Sequence, residues 1–133
     1  MPNRDLADRY RAAADFRTAL LGFQRRSGEI AARHGLTSQR YLLLLLLRVR
    51  SDAGERATVT ELREPLQMTQ SAVTQLVMGA EAAGLITRVA DPKDGRSQTL
   101  RLTREGSQRL RRTFFDLSEE RLALRAVVAD VRG

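Results

Sequence analysis

A chain of 133 residues has room for one domain, and with no cysteine it has neither disulfides, thiolate metal sites nor cysteine-based redox sensing. One histidine, His34, is too few for an ordinary zinc site, so no metal and no cofactor is expected. The formal net charge of +7, from 23 Lys and Arg against 16 Asp and Glu, favours an anionic partner, nucleic acid before a membrane surface.

The first ten residues, MPNRDLADRY, hold no apolar run of the signal-peptide kind. From Leu6 to about Arg33 the apolar positions Leu6, Tyr10, Ala13, Phe16, Leu20, Phe23 and Ile30 recur mostly at helical spacing, which predicts a helix with a narrow apolar stripe. Gly35 is placed to stop it, with His34 near the negative end of the helix dipole. Thr37 or Ser38 then caps a second helix that runs through Leu42 to Leu47 to about Arg50. That leucine run is far shorter than the roughly 20 residues needed to span a bilayer, so it reads as a helix buried on most sides, and a cytoplasmic location is expected.

Thr60-Glu61-Leu62-Arg63 opens a short third helix with Thr60 as its cap, and Pro65 should weaken or bend it. A fourth helix runs from about Gln70 to Ala83, capped by Thr69 and stopped by Gly84. Leu85 to Val89 and Ser97 to Leu102 read as strands, joined across Asp91-Pro92-Lys93-Asp94-Gly95-Arg96 as a long hairpin. Thr103 caps one long final helix, whose seam of Leu110, Phe114, Leu117, Leu124, Val128 and Val131 has heptad-like spacing, broken once by Arg121.

The fourth helix carries the functional signal. Val73, Leu76, Val77 and Ala80 form one apolar face, while Gln70, Ser71, Thr74, Gln75 and Met78 fall on the other. Amides and hydroxyls both donate and accept, as reading base edges in a major groove requires. Helix, short connection, helix is the order of a helix-turn-helix. Over residues 60–84 Arg63 stands alone against Glu61, Glu64 and Glu81. The next twenty residues hold Arg88, Lys93, Arg96, Arg101 and Arg104 against Asp91 and Asp94. The hairpin is therefore the expected phosphate-tracking element, its tip able to enter a narrow minor groove.

These pieces together resemble the MarR family of bacterial transcription regulators. The resemblance rests on Gly35 to Leu43, Val59 to Leu62, Ser71 to Val77, Glu81 to Arg88, the hairpin from Asp91 to Ser97, and Leu100 to Gly106, in order and with spacings kept. It implies a mostly α fold with a small β-hairpin wing: a winged helix-turn-helix over residues 37–103, with residues 1–36 and 104–133 forming helices that pair two subunits. It further implies a dimeric repressor of a pseudo-palindromic double-stranded DNA operator, released by a small aromatic or anionic ligand. Carried over by position, Thr69, Gln70, Ser71, Thr74 and Gln75 belong to the recognition element, and Arg88, Lys93, Asp94 and Arg96 to the wing.

The expected subunit contacts are Leu6, Tyr10, Phe16, Leu20, Leu117, Leu124 and Val128. Two apolar seams left bare in a lone subunit support the same pairing. A ligand site is expected near Arg40 and Tyr41. The sequence departs from the family at Gln75, where arginine is common, at Gly95, which replaces a second basic residue, and at Pro65. The absence of cysteine also removes the family's thiol-oxidation switch. The alternative is a winged-helix architectural or protein-interaction module that binds nucleic acid weakly and without an operator. An enzyme is not expected: Glu119 and Glu120 diverge by roughly 100° as neighbours on a helix, and no catalytic motif is present.

Overall fold

The computed structural model describes residues 2–90 and 98–130. Its elements in chain order are α1 (Pro2–Arg33), α2 (Ser38–Asp52), α3 (Val59–Leu66), α4 (Gln70–Ala82), β1 (Ile86–Ala90), β2 (Gln98–Leu102), α5 (Arg104–Asp116) and α6 (Ser118–Asp130). The two strands pair antiparallel from Ile86↔Leu102 to Ala90↔Gln98.

Short-range chemistry sets most boundaries. Thr37, Thr69 and Thr103 each turn a side-chain oxygen onto the backbone N–H three residues ahead, satisfying a donor that has no partner within the helix. Four helices close on a left-handed residue with paired bonds back into the last turn; at α2 it is Gly54, with Glu55 N–H bonded to the Arg50 carbonyl. At α1 the left-handed residue is Gly35, with Leu36 N–H bonded to the Ala31 carbonyl; at α4 it is Gly84, with Leu85 N–H bonded to the Ala80 carbonyl. At α3 it is Gln67, with φ of 56°.

Two elements differ from the sequence expectation. The third helix is capped by Thr58, not Thr60: Thr58 Oγ1 accepts from Glu61 N–H at 3.2 Å. Thr58-Val59-Thr60-Glu61 has the spacing of a capping box, but the Glu61 carboxylate turns instead to Arg50 and Arg56. Pro65 stays inside α3 and does not break it. The helix ends one residue later, so the proline removes only a bond of the closing turn. The second difference is the C-terminal helix, which is two helices divided at Leu117. Ser118 with Glu119 and Glu120 makes an acidic helix start, and Ser118 Oγ donates to the Phe115 carbonyl at 2.7 Å. The break lets α6 lie along α1, tied by Arg26 Nε to Glu120 Oε2 at 2.6 Å.

The core gathers Leu43, Leu44 and Leu47 of α2 with Leu62, Val73, Val77, Ala80, Leu85 and Leu100. Full burial of such a side chain is worth on the order of 2 kcal/mol. Around it the wing is fastened by Thr103, whose hydroxyl donates to the Gly84 carbonyl at 2.6 Å while its N–H reaches the Leu85 carbonyl. Gly106 lies directly against that same Leu85 carbonyl, and a Cβ there would overlap it. Gly106→Ala is expected to destabilise the protein by about 1–3 kcal/mol, measured by urea or thermal unfolding. A wild-type midpoint would show that this junction gives way freely.

Candidate nucleic-acid interface and adjoining cavity

The face of α4 opposite the core is the surface expected to read bases. Val73, Val77 and Ala80 are wholly buried, and Leu76 packs partly against the core. Gln70, Ser71 and Gln75 are exposed, Thr74 is half-buried, and Met78 is 57% exposed. The exposed cap Thr69 starts this helix, its Oγ1 accepting from Ala72 N–H at 3.2 Å. One side of α4 is therefore fixed by packing while the other offers neutral donors and acceptors.

The cations around α4 differ in how they are held. Arg88 on β1 is half-buried, with Nε 3.3 Å from Glu81 Oε1, so its charge is already partnered within the chain. It shares a face of the hairpin with buried Leu100, whereas Thr87 and Arg101 share the opposite, exposed face. Arg101 was counted only as part of the hairpin's charge by sequence reasoning, yet it is the outward cation of the wing's stem. Arg63 is also new as a site residue: it lines an open recess at the turn between α3 and α4 with Thr60, Glu64, Gln67, Met68 and Thr69. Its signal was its position as the lone cation before the turn. Lys93, Asp94 and Arg96 lie outside the described residues.

Arg40 and Tyr41, expected together at a ligand site, separate. Tyr41 faces a cavity of about 420 Å³ between α1, α2 and the α5–α6 junction, lined by Phe23, Gln24, Ser27, Ser38, Leu45, Leu117 and Arg121 besides. Arg40 does not reach it. Its guanidinium lies over Gly79 of α4, where a Cβ would sit 2.9 Å from Nη2. Neighbouring helix residues diverge by roughly 100°, so the two cannot share one target.

The cavity is mostly apolar, with two unsatisfied polar atoms. Ser27 Oγ and Arg121 Nη1 are buried without a hydrogen-bond partner among the described residues. The Arg121 guanidinium stacks on the Phe114 ring, 4.1 Å from its centre. Burial pushes the Tyr41 hydroxyl above its ordinary 10.0, with the Arg121 charge opposing, so the phenol is neutral and able to donate near pH 7. The same Arg121 is the residue that interrupts the apolar seam in the sequence.

The expected pairing residues divide as well. Leu6, Tyr10 and Val128 are exposed, and Phe16, Leu20 and Leu124 are half-buried. Leu117 is 2% exposed and lines the cavity of its own chain, so it is not a contact for a second subunit. Leu21 and Leu122, which fall off the sequence stripes, are 67% and 64% exposed. His34 joins α1 to the end of α5, its Nε2 2.6 Å from Asp116 Oδ2. Among the described residues no group of acidic and imidazole side chains is arranged to hold a metal ion, and no helix is long and apolar enough to cross a membrane.

A short helix, a tight turn, a second helix with a polar outer face and a two-stranded hairpin define a winged helix-turn-helix protein. The MarR family model matches residues 34–97, from just after α1 to just before β2. Solved structures of that family share the fold. A MarR family transcription regulator matches with a TM-score of 0.78 at 24% identity, covering 92% of this chain and 78% of its own. Wild-type MarR of E. coli in the apo form matches with a TM-score of 0.71 at 18% identity, over 84% of this chain and 81% of its own. The transcriptional repressor CouR, solved on a 23-mer DNA duplex, matches with a TM-score of 0.67 at 28% identity, over 80% of this chain and 74% of its own. No curated protein matches the sequence. Over residues 34–97 the chain is similar to the MarR family of transcription regulators, and its fold is theirs.

Thr69→Ala removes the cap of the base-facing helix and is expected to lower stability by about 1 kcal/mol, while Thr69→Ser keeps it. Equal unfolding midpoints for the two variants would show that the cap contributes nothing.

Proposed function

We propose that this chain is a sequence-specific, double-stranded-DNA-binding repressor that works in the cytoplasm as a homodimer on a pseudo-palindromic operator and is released by a small aromatic or anionic ligand. The observation that carries the reading is the two-sided character of α4: an apolar, buried side and an outer side of amides and hydroxyls that is uncharged from Gln70 to Met78, with Glu81 of the last turn ion-paired to Arg88. A solvated helix face in so arginine-rich a protein has no physical reason to exclude charge, whereas a face read against base edges does. Gln70, Ser71, Thr74 and Gln75 are assigned to the bases, and Lys93, Asp94, Arg96 and Arg88 to the wing. With Arg88 held by Glu81, its share is to orient the hairpin rather than to contact phosphate. CouR, solved on DNA with the same fold, supports the reading.

Pairing is assigned to residues 1–36 and 104–133, with 37–103 as the DNA-binding unit. Exposed Leu6, Tyr10, Leu21, Leu122 and Val128 supply apolar surface that a partner would cover. Two subunits related by a two-fold axis place their α4 helices about one DNA turn apart. Selection from random duplex DNA is expected to enrich a palindrome, and sedimentation at micromolar concentration to give twice the 14.9 kDa chain mass. Featureless, salt-sensitive binding by a monomer would overturn the proposal. Within it, Arg96→Ala should weaken binding to all sequences and shallow its salt dependence, and Gln75→Ala should mainly change base preference. An unchanged salt slope for Arg96→Ala in an anisotropy titration would refute the wing assignment.

The effector is assigned to the cavity beside Tyr41. Its apolar walls suit a ring, and the unpartnered Arg121 Nη1 and Ser27 Oγ suit a carboxylate. Small phenolic acids are expected to raise the melting temperature of the wild type and not that of Arg121→Gln. At a hundred times Kd the gain is about 2.7 kcal/mol. Equal shifts in both proteins would remove Arg121 from the site, and no shift with any acid would remove the ligand class.

A further inference from the structure

We propose that Arg40 is a DNA-backbone contact, a cation carried by α2 at the edge of the recognition helix, and not part of the effector site. The proposal rests on the DNA-binding reading above.

Three observations lead to it. The first is placement: the Arg40 guanidinium lies over Gly79, and glycine at that point leaves room for it. Gly79 follows Gln75 by four residues and so stands directly along the helix from it, on the flank of the base-facing strip. A helix seated in a major groove has a phosphate strand along each side, so a cation fixed at that flank faces a strand and not a base.

The second is availability. Arg88, on the hairpin side of α4, is paired with Glu81, and Arg50 and Arg56 are paired with Glu61. Among the described residues the Arg40 side chain has neither a carboxylate partner nor a hydrogen bond, while its backbone N–H donates to Thr37 Oγ1. It is half-buried, so its stem is steadied by packing while the charged end stays open to a phosphate.

The third is the chemistry of α4 itself. A helix without a cation supplies discrimination but none of the charge neutralisation on which DNA affinity depends. A cation brought in from α2 supplies it without interrupting the row of amides and hydroxyls.

The test is the salt dependence of duplex binding by the full-length protein, followed by fluorescence anisotropy with wild type, Arg40→Gln and Arg40→Lys. Arg48→Ala serves as control, since Arg48 is exposed and paired with Asp52 on α2. If each of two subunits loses one phosphate contact, the slope of log K against log salt shallows by about 1.8 in Arg40→Gln. The corresponding loss of affinity is roughly 60-fold at 0.1 M salt and vanishes towards 1 M. Arg40→Lys restores the slope, because a point charge suffices for a phosphate, and the control keeps it throughout. Thermal unfolding of each variant separates a folding defect, which lowers affinity at every salt concentration without changing the slope. A wild-type slope in well-folded Arg40→Gln, or an unrestored slope in Arg40→Lys, overturns the inference. Failure of the wild type to bind any duplex refutes the DNA-binding reading instead.

Discussion

The burial of α2 is the constraint on which the rest of the molecule depends. Leu43 and Leu44 are fully buried and Leu47 almost so, and the helix touches α1, α3, α4, α5 and β2. Its leucines thereby hold the recognition helix, the wing and the two long terminal elements in one frame. The helix's first turns also divide by direction. Ser38, Tyr41 and Leu45, at helical spacing, wall the cavity, while Arg40 points to α4. A displacement of this short stretch acts on both, because a close-packed core passes a shift on rather than absorbing it.

Arg25, Arg26, Arg48, Arg50, Arg56, Arg88 and Arg109 each lie within ion-pair distance of a carboxylate of the same chain. Exposed pairs of this kind stabilise a fold by about 0–1 kcal/mol each, too little to explain their abundance as a source of stability. Their larger effect is on the electrostatic field. Around α4 and the wing they leave Arg40, Arg63 and Arg101 without a carboxylate partner among the described residues, as Arg4, Arg9, Arg11, Arg17 and Arg112 are elsewhere.

What the sequence made legible was local. The caps at Thr37, Thr69 and Thr103, the left-handed glycines and the two faces of α4 all follow from interactions within a few residues. The cap of α3 was legible too: Thr58 and Glu61 have capping-box spacing, while Thr60 lacks an acid three residues on. The division at Leu117 was harder, because the heptad-like spacing runs on across it with only Arg121 out of pattern, and Ser118 with two glutamates is the one sign of a new start. Side-chain partners were out of reach. That Arg88 would be held by Glu81, that Arg40 would leave Tyr41 for Gly79, and that Leu117 would face inward depend on how elements pack, which periodicity does not encode.

Arg121 shows how a break in a pattern can be misread as a defect. In a seam of apolar residues it looks like a weak point of a coiled-coil contact. In the folded chain it lies just beyond the helix break, stacks on Phe114 and turns a buried nitrogen towards Tyr41 and Ser27. Burying a guanidinium nitrogen without a partner is costly, and an apolar residue of similar volume would fill the space at lower free energy. An anion beside it would offset that cost, which is why the effector is assigned to this cavity. α1, α2 and the α5–α6 junction all border the cavity, so a group placed there touches both the terminal helices and the helix that packs on α4.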